Sequence, residues 1–295
     1  MILIKACLNG SREPGEHPAL PLTPLELAEA AREAREAGAG AVHIHPRDEA
    51  GRESLSAARI GAAVGAVRRA APGLPVGVST GLWITGGDVQ ARRREVRGWA
   101  VLPAEERPDF ASVNLSEPDF PGMWEDLRRL GVGVEAGVWS VTDAEALAAT
   151  GLECVRVLVE IIGGAEETAV ARAHAVLDRL DELAVPGPRL LHGEHAPTWV
   201  LVDEAGRLGL ATRIGLEDVL HSPVGGPVAG NAELVRLARP GWHRVDDGNP
   251  EGVLECRSAW SGWARWAATW PSACAAAATT SWATTGTRRS ATSRA

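Results

Sequence analysis

The chain lacks the basic excess that a polyanion would select. Its 30 Lys and Arg stand against 38 Asp and Glu, a formal net charge of −8 over 295 residues, whereas nucleic acids and anionic membrane surfaces favour a basic face. A small-molecule partner fits better. No stretch approaches the roughly 18 apolar residues of a membrane span. The opening MILIKACLNG lacks the charged start and long apolar run of an export leader. The expectation is a protein neither exported nor membrane-inserted. The four cysteines, Cys7, Cys154, Cys256 and Cys274, are far apart and form no C-x-x-C. That excludes a thiolate metal site and suits a reducing compartment, so a cytoplasmic location is expected. No G-x-G-x-x-G follows the first apolar run, which leaves a doubly wound dinucleotide fold without its phosphate-binding turn.

Eight short β-rich runs are present: ILIKACL, AVHIH, PVGVST, FASVNL, GVGVEAGV, CVRVLVEI, RLLHGE and TRIGLED. Amphipathic helical segments alternate with them, such as TPLELAEAAREAREAGAG and EETAVARAHAVLDRLDEL, several opening on Ser, Thr or Pro and closing on Gly. Eight strand-helix units predict a parallel sheet closed into a (β/α)8 TIM barrel, α/β in class, over residues 1–240, with an open doubly wound sheet as the alternative. Residues 241–295 read differently. They hold six of the eleven tryptophans, are rich in Ala, Ser, Thr and Arg, and show no helical or strand period. A separate, poorly ordered tail is expected there. A reading-frame shift in a GC-rich gene would leave the same abrupt change.

In such a barrel, chemistry collects at the C-terminal strand ends, where the loops surround one cavity. The polar residues assigned to those ends are Asn9, His43 and His45, Ser79 and Thr80, Ser112 and Asn114, Glu135, Glu160, His192 and Glu194, then Arg213, Glu217 and Asp218. In AVHIHPRDEAG the strand period of two places His43 and His45 on one face, about 6 to 7 Å apart, and Val42 and Ile44 on the other. Two neutral imidazoles and one carboxylate form a three-ligand set for zinc that leaves a position open to substrate. Glu217 is the carboxylate of choice, because along a strand it points the same way as Arg213. Asp218 leaves from the opposite face unless the strand has ended. Arg213 would clamp a substrate carboxylate, hold Asp218 ionised as a base, or form a structural ion pair with Glu217. The ARRREVRG stretch reads as a solvated outer helix face rather than a contact for CoA phosphates. His17 and His195 read as loop residues rather than ligands.

Together, ACLNG, HIHPRD, STG, PDFASVNL and RIGLED resemble the beta-keto acid cleavage enzymes, also called 3-keto-5-aminohexanoate cleavage enzymes, in order over about residues 2–240. The resemblance implies a zinc-dependent (β/α)8 barrel that condenses a beta-keto acid with acetyl-CoA and releases acetoacetate and a new acyl-CoA. It implies His43, His45 and Glu217 as Zn2+ ligands, Asp218 as catalytic base and Arg213 as its partner. Ser79 and Ser112 match hydroxyl positions around the substrate, Asn114 and Glu135 further pocket positions, and a homo-oligomer is implied. One departure is that amine-handling members carry an acidic residue near Ser11, a role that Glu13 or Glu16 would have to take here. Rival readings are a metal-dependent aldolase that makes no use of CoA and a non-catalytic barrel with a disrupted C-terminus. An amidohydrolase would need its H-x-H on the first strand and a bridging lysine on the fourth, and neither is present.

Overall fold

A computed structural model describes residues 3–239, so the tail expected over 241–295 lies outside the described residues. The strands are β1 (Ile4–Cys7), β2 (Ala41–Ile44), β3 (Val76–Ser79), β4 (Phe110–Asn114), β5 (Gly133–Val138), β6 (Arg156–Ile162), β7 (Arg189–Glu194) and β8 (Thr212–Ile214). The α-helices are α1 (Pro24–Glu36), α2 (Ala57–Ala70), α3 (Val89–Gly98), α4 (Phe120–Arg129), α5 (Val141–Thr150), α6 (Glu166–Glu182), α7 (Thr198–Leu208) and α8 (Asn231–Ala238). Every strand lies within its expected run, apart from one residue added to the end of β6.

The strands form one parallel sheet in the order β7-β6-β5-β4-β3-β2-β1-β8. The sheet curls until its two edges meet. A parallel bridge joins Leu190 to Ala211. The Leu191 amide donates to the Ala211 carbonyl at 2.9 Å, and Thr212 Oγ1 donates to the Leu191 carbonyl at 2.8 Å. The result is a nearly closed (β/α)8 barrel rather than an open sheet.

The alternation read from the sequence sorts the side chains. Val42, Ile44, Val76 and Val78 belong to the apolar core, together with Leu27, Ala31, Ile60 and Val64 of the covering helices. His43 and His45 face the barrel cavity instead. Helix entry follows local chemistry: Thr23 and Glu26 cap each other's backbone amides before Pro24 opens α1.

The N-terminal half of the barrel encloses a small cluster of paired charges. Lys5, the one lysine of the chain, reaches across the interior from β1 to Glu135 on β5 at 2.5 Å. The second oxygen of Glu135 pairs with Arg156. Both cations also lie over the Phe110 ring, at 5.6 and 5.9 Å from its centroid, a favourable placement for a partly desolvated charge. Burial opposes ionisation of Glu135, but Lys5 and Arg156 outweigh it and hold its carboxyl below the ordinary range.

Candidate metal and catalytic site

At the C-terminal mouth a cavity of about 350 Å3 is lined by His43, His45, Ser79, Ser112, Asn114, Arg213 and Glu217, among others. Nine of the fourteen polar residues assigned to the strand ends, Glu160 and Glu194 included, therefore share one surface. His43 Nε2 lies 3.1 Å from His45 Nε2, and His45 Nε2 lies 3.7 Å from Glu217 Oε2. One donor atom from each of these residues lies within 4.8 Å of the others. Glu217 Oε2 is buried without a hydrogen-bond partner. Two imidazole nitrogens and an unpartnered carboxylate oxygen, all aimed at one point, suit a divalent cation.

The route by which Glu217 arrives differs from the sequence expectation. β8 ends at Ile214 instead of running on to Asp218, and residues 215–218 form a turn closed by Asp218 and Val219 amides on the Gly215 carbonyl. Gly215 is required by close approach, because a Cβ there would lie 1.8 Å from the Cys7 carbonyl oxygen. Gly10 sits at φ +55°, and a Cβ on it would meet Glu217 Cγ at 2.3 Å. The two glycines let β1 and its loop pass beside the turn that carries the acids.

That turn brings Glu217 and Asp218 onto the same guanidinium. Arg213 Nη2 lies 3.0 Å from Glu217 Oε1, 2.8 Å from Asp218 Oδ1 and 2.7 Å from Glu194 Oε1. Arg213 Nη1 is 3.8 Å from Glu160. Glu217 thus divides its oxygens, one on Arg213 and one toward the histidines. Arg213 Nε and Nη2 are engaged by protein acids, as the reading of Arg213 as partner to Asp218 requires, while Nη1 makes no hydrogen bond and the side chain also lines the cavity.

One guanidinium among four carboxylates leaves the site short of positive charge. Burial raises Asp218 well above the usual carboxylate range, and Glu217 and Glu194 add to this against Arg213. Glu160 and Glu194 are also raised, chiefly by burial. His43 is lowered well below the usual imidazole value, first by burial and then by His45. It is therefore neutral and free to donate a lone pair. Burial also lowers His192, whose Nε2 lies 2.9 Å from Glu160 and whose Nδ1 lies 4.0 Å from Asp218.

The other candidates fall elsewhere. Asn9 brackets the His45 backbone, its amide donating to the carbonyl and its oxygen accepting from the N–H, both at 2.9 Å. Thr80 is buried and ties β3 to β4 by donating to the Ser112 carbonyl at 2.6 Å. Glu135 belongs to the Lys5 and Arg156 cluster and does not line the cavity. Asp218 lies behind Arg213, fully buried. His17 bonds the Val228 carbonyl within a loop. Arg92, Arg93 and Arg97 of ARRREVRG pair with Glu117, Asp119 and Asp126. Arg12, Glu16, Trp83, Trp139 and His195 complete much of the lining. The two tryptophans were not anticipated, although each follows a strand end closely, the one position-based signal that would have found them.

The model of the beta-keto acid cleavage enzyme family matches residues 1–247. The chain belongs to this family. It is 28% identical over 122 residues to a 3-keto-5-aminohexanoate cleavage enzyme of Fusobacterium nucleatum subsp. nucleatum, a match covering 41% of this chain and 42% of that relative. Among solved structures, the binary complex of ObcA with oxaloacetate is similar at TM-score 0.62 and 19% identity, over 76% of this chain and 63% of that one. The ternary complex of ObcA with a C4-CoA adduct and oxalate is similar at TM-score 0.59 and 19% identity, over 77% and 64%. The chain thus spans less than half of the Fusobacterium enzyme and just under two thirds of ObcA. At these identities the likeness to ObcA concerns the fold. Among the described residues no helix is long and apolar enough to cross a membrane.

Proposed function

We propose that this family member is a zinc-dependent acyltransferase that joins a beta-keto acid to acetyl-CoA and then cleaves a C–C bond, releasing acetoacetate and a new acyl-CoA. The observation that carries the reading is the convergence of His43 Nε2, His45 Nε2 and the unpartnered Glu217 Oε2 beside the Arg213 and Asp218 pair. His43, His45 and Glu217 would hold the ion. Zinc bound there supplies Lewis acidity, polarising the keto oxygen so that the carbon between ketone and carboxylate becomes acidic.

Asp218 is the base of this reading. Its Oδ1 is fixed by Arg213, and its buried Oδ2 has no partner and takes the proton from that carbon. The upward shift of its carboxyl brings its basicity nearer to working pH. Ser79, Ser112 and Asn114 line the opposite wall and orient the substrate oxygens. The carbanion attacks the thioester carbonyl and displaces the CoA thiolate, and the thiolate adds to the former keto carbonyl of the adduct. Retro-Claisen cleavage of the bond from that carbon leaves the new acyl-CoA and, after reprotonation of the carbanion, acetoacetate. The ObcA complexes support the reading, since that protein binds oxaloacetate and a C4-CoA adduct on the same fold.

The decisive test is incubation of the full chain with zinc, acetyl-CoA and a panel of beta-keto acids, following acetoacetate. Formation that requires both acetyl-CoA and one keto acid is expected. Cleavage of a keto acid in the absence of acetyl-CoA would favour a metal-dependent aldolase instead. A cytoplasmic homo-oligomer is expected, with light scattering to check the assembly.

A further inference from the structure

The two histidines of the metal set are held differently. His43 Nδ1 is buried with no partner. His45 Nδ1 is hydrogen-bonded to Glu53 Oε1, and the other oxygen of Glu53 accepts from Trp83 Nε1 at 2.9 Å. The Trp83 ring lies nearly parallel to the His45 imidazole, with centroids 6.5 Å apart and planes inclined by 24°. Asn9 clamps the His45 backbone from the opposite side. Backbone, ring plane and proton position of His45 are therefore all specified.

Glu53 is eight residues beyond His45, and the chain between them turns back on itself. Arg47 and Glu53 form an antiparallel bridge. The Asp48 amide donates to the Arg52 carbonyl and the Ser54 amide to the Pro46 carbonyl, both at 2.8 Å. The Arg47 guanidinium binds the Gly51 carbonyl at 2.7 Å and the Gly10 carbonyl at 2.9 Å, pinning the hairpin to the loop after β1. None of these groups donates to the cavity. Their joint effect is to return one carboxylate to the far side of His45.

A neutral imidazole carries one N–H, and the group that accepts it decides which nitrogen keeps a lone pair. A carboxylate on Nδ1 leaves Nε2 free, facing His43 Nε2 and Glu217 Oε2. Carboxylates placed this way behind a ligating histidine fix its tautomer and raise its basicity. We infer that Glu53, itself held by Trp83, is the positioning residue that makes His45 the pre-organised ligand of this site and sets the affinity for the ion. This inference rests on the metal-site reading proposed above.

The test is zinc titration of the chelator-stripped full chain against a competing indicator, for wild type, Glu53→Ala, Glu53→Gln and Trp83→Phe. Glu53→Ala should weaken zinc binding by about 10- to 100-fold. Glu53→Gln keeps an amide carbonyl as acceptor and should recover part of that loss. Trp83→Phe keeps an aromatic ring but loses the indole N–H, and should weaken binding several-fold. Melting of the metal-free variants should stay close to wild type, because Trp83 is about half exposed and the side chain of Glu53 bonds only His45 and Trp83. Unchanged affinity in Glu53→Ala against a wild type that binds zinc would overturn the inference. So would a loss of metal-free stability large enough to account for the weaker binding. Failure of the wild type itself to bind zinc would instead overturn the metal-site reading.

Discussion

The barrel encloses two clusters of buried charge, and they are built on opposite plans. In the N-terminal half, Lys5 and Arg156 share Glu135, each carboxylate oxygen has its own cation, and the Phe110 ring lies against both. At the mouth, one arginine faces Glu160, Glu194, Glu217 and Asp218. There Glu217 Oε2, Asp218 Oδ2, His43 Nδ1 and His192 Nδ1 are buried without partners. A buried polar atom left unmade costs about 1 to 3 kcal/mol, so the mouth is expensive as a purely structural arrangement. The difference separates a cluster that completes itself from one that, on the function proposed above, would be completed by a cation at one set of lone pairs and a proton donor at another.

The contrast is broken most completely at the histidines. His43→Ala or His45→Ala should abolish stoichiometric zinc binding and turnover while leaving the barrel folded, as read by metal analysis and circular dichroism. A full zinc complement in the double variant would remove the metal site. Next comes the self-contained cluster. Glu135→Ala strands Lys5 and Arg156 and should cost about 3 to 5 kcal/mol of stability in denaturant melts, with zinc affinity of the folded fraction unchanged. A change in affinity equal to that of a ligand variant would show that the two clusters are one. Within the mouth, adjacent acids divide the work: Glu217→Gln should lower zinc content, whereas Asp218→Asn should retain zinc and lose roughly 100-fold or more in turnover. Equal loss of zinc in both would erase the division.

How far the sequence carries the reader depends on whether an element is organised by period or by turns. The eight strands and the inward pair His43 and His45 follow from alternation, because side chains separate onto two faces whatever lies beyond. The alternation points to Glu217 only if β8 extends through Asp218, and the extension fails at Gly215. There the Cys7 carbonyl leaves no room for a side chain, and the chain turns. The family resemblance puts Glu135 at a pocket position. Its position as the third residue of β5 places it instead where Lys5 crosses from β1, a contact 130 residues away in sequence. Glu53 shows the same limit. Only the hairpin pinned by Arg47 brings it back to His45, and no periodicity records that return.

The finest distinction between the clusters is the sign of their pH linkage. Glu135 is held below the ordinary carboxylate value, so the folded state binds fewer protons than the unfolded state as pH falls through about 4.5. Its contribution is complete above that value and is lost as the solution is acidified through it and below. Glu194 is raised, so its folded form keeps a proton that the unfolded chain has already released. In metal-free protein its contribution is complete below about 4.5 and is lost as pH rises through the shifted range. Glu135→Gln should therefore flatten the acid limb of a stability-pH curve, and Glu194→Gln should flatten the limb above it. Zinc should shrink the second effect, because a dication beside Glu217 favours ionised neighbours. Denaturant midpoints from pH 3.5 to 7.5, with chelator and with zinc, read both limbs in one series. Slopes of the same sign for the two variants would mean that the clusters differ in geometry but not in electrostatic design.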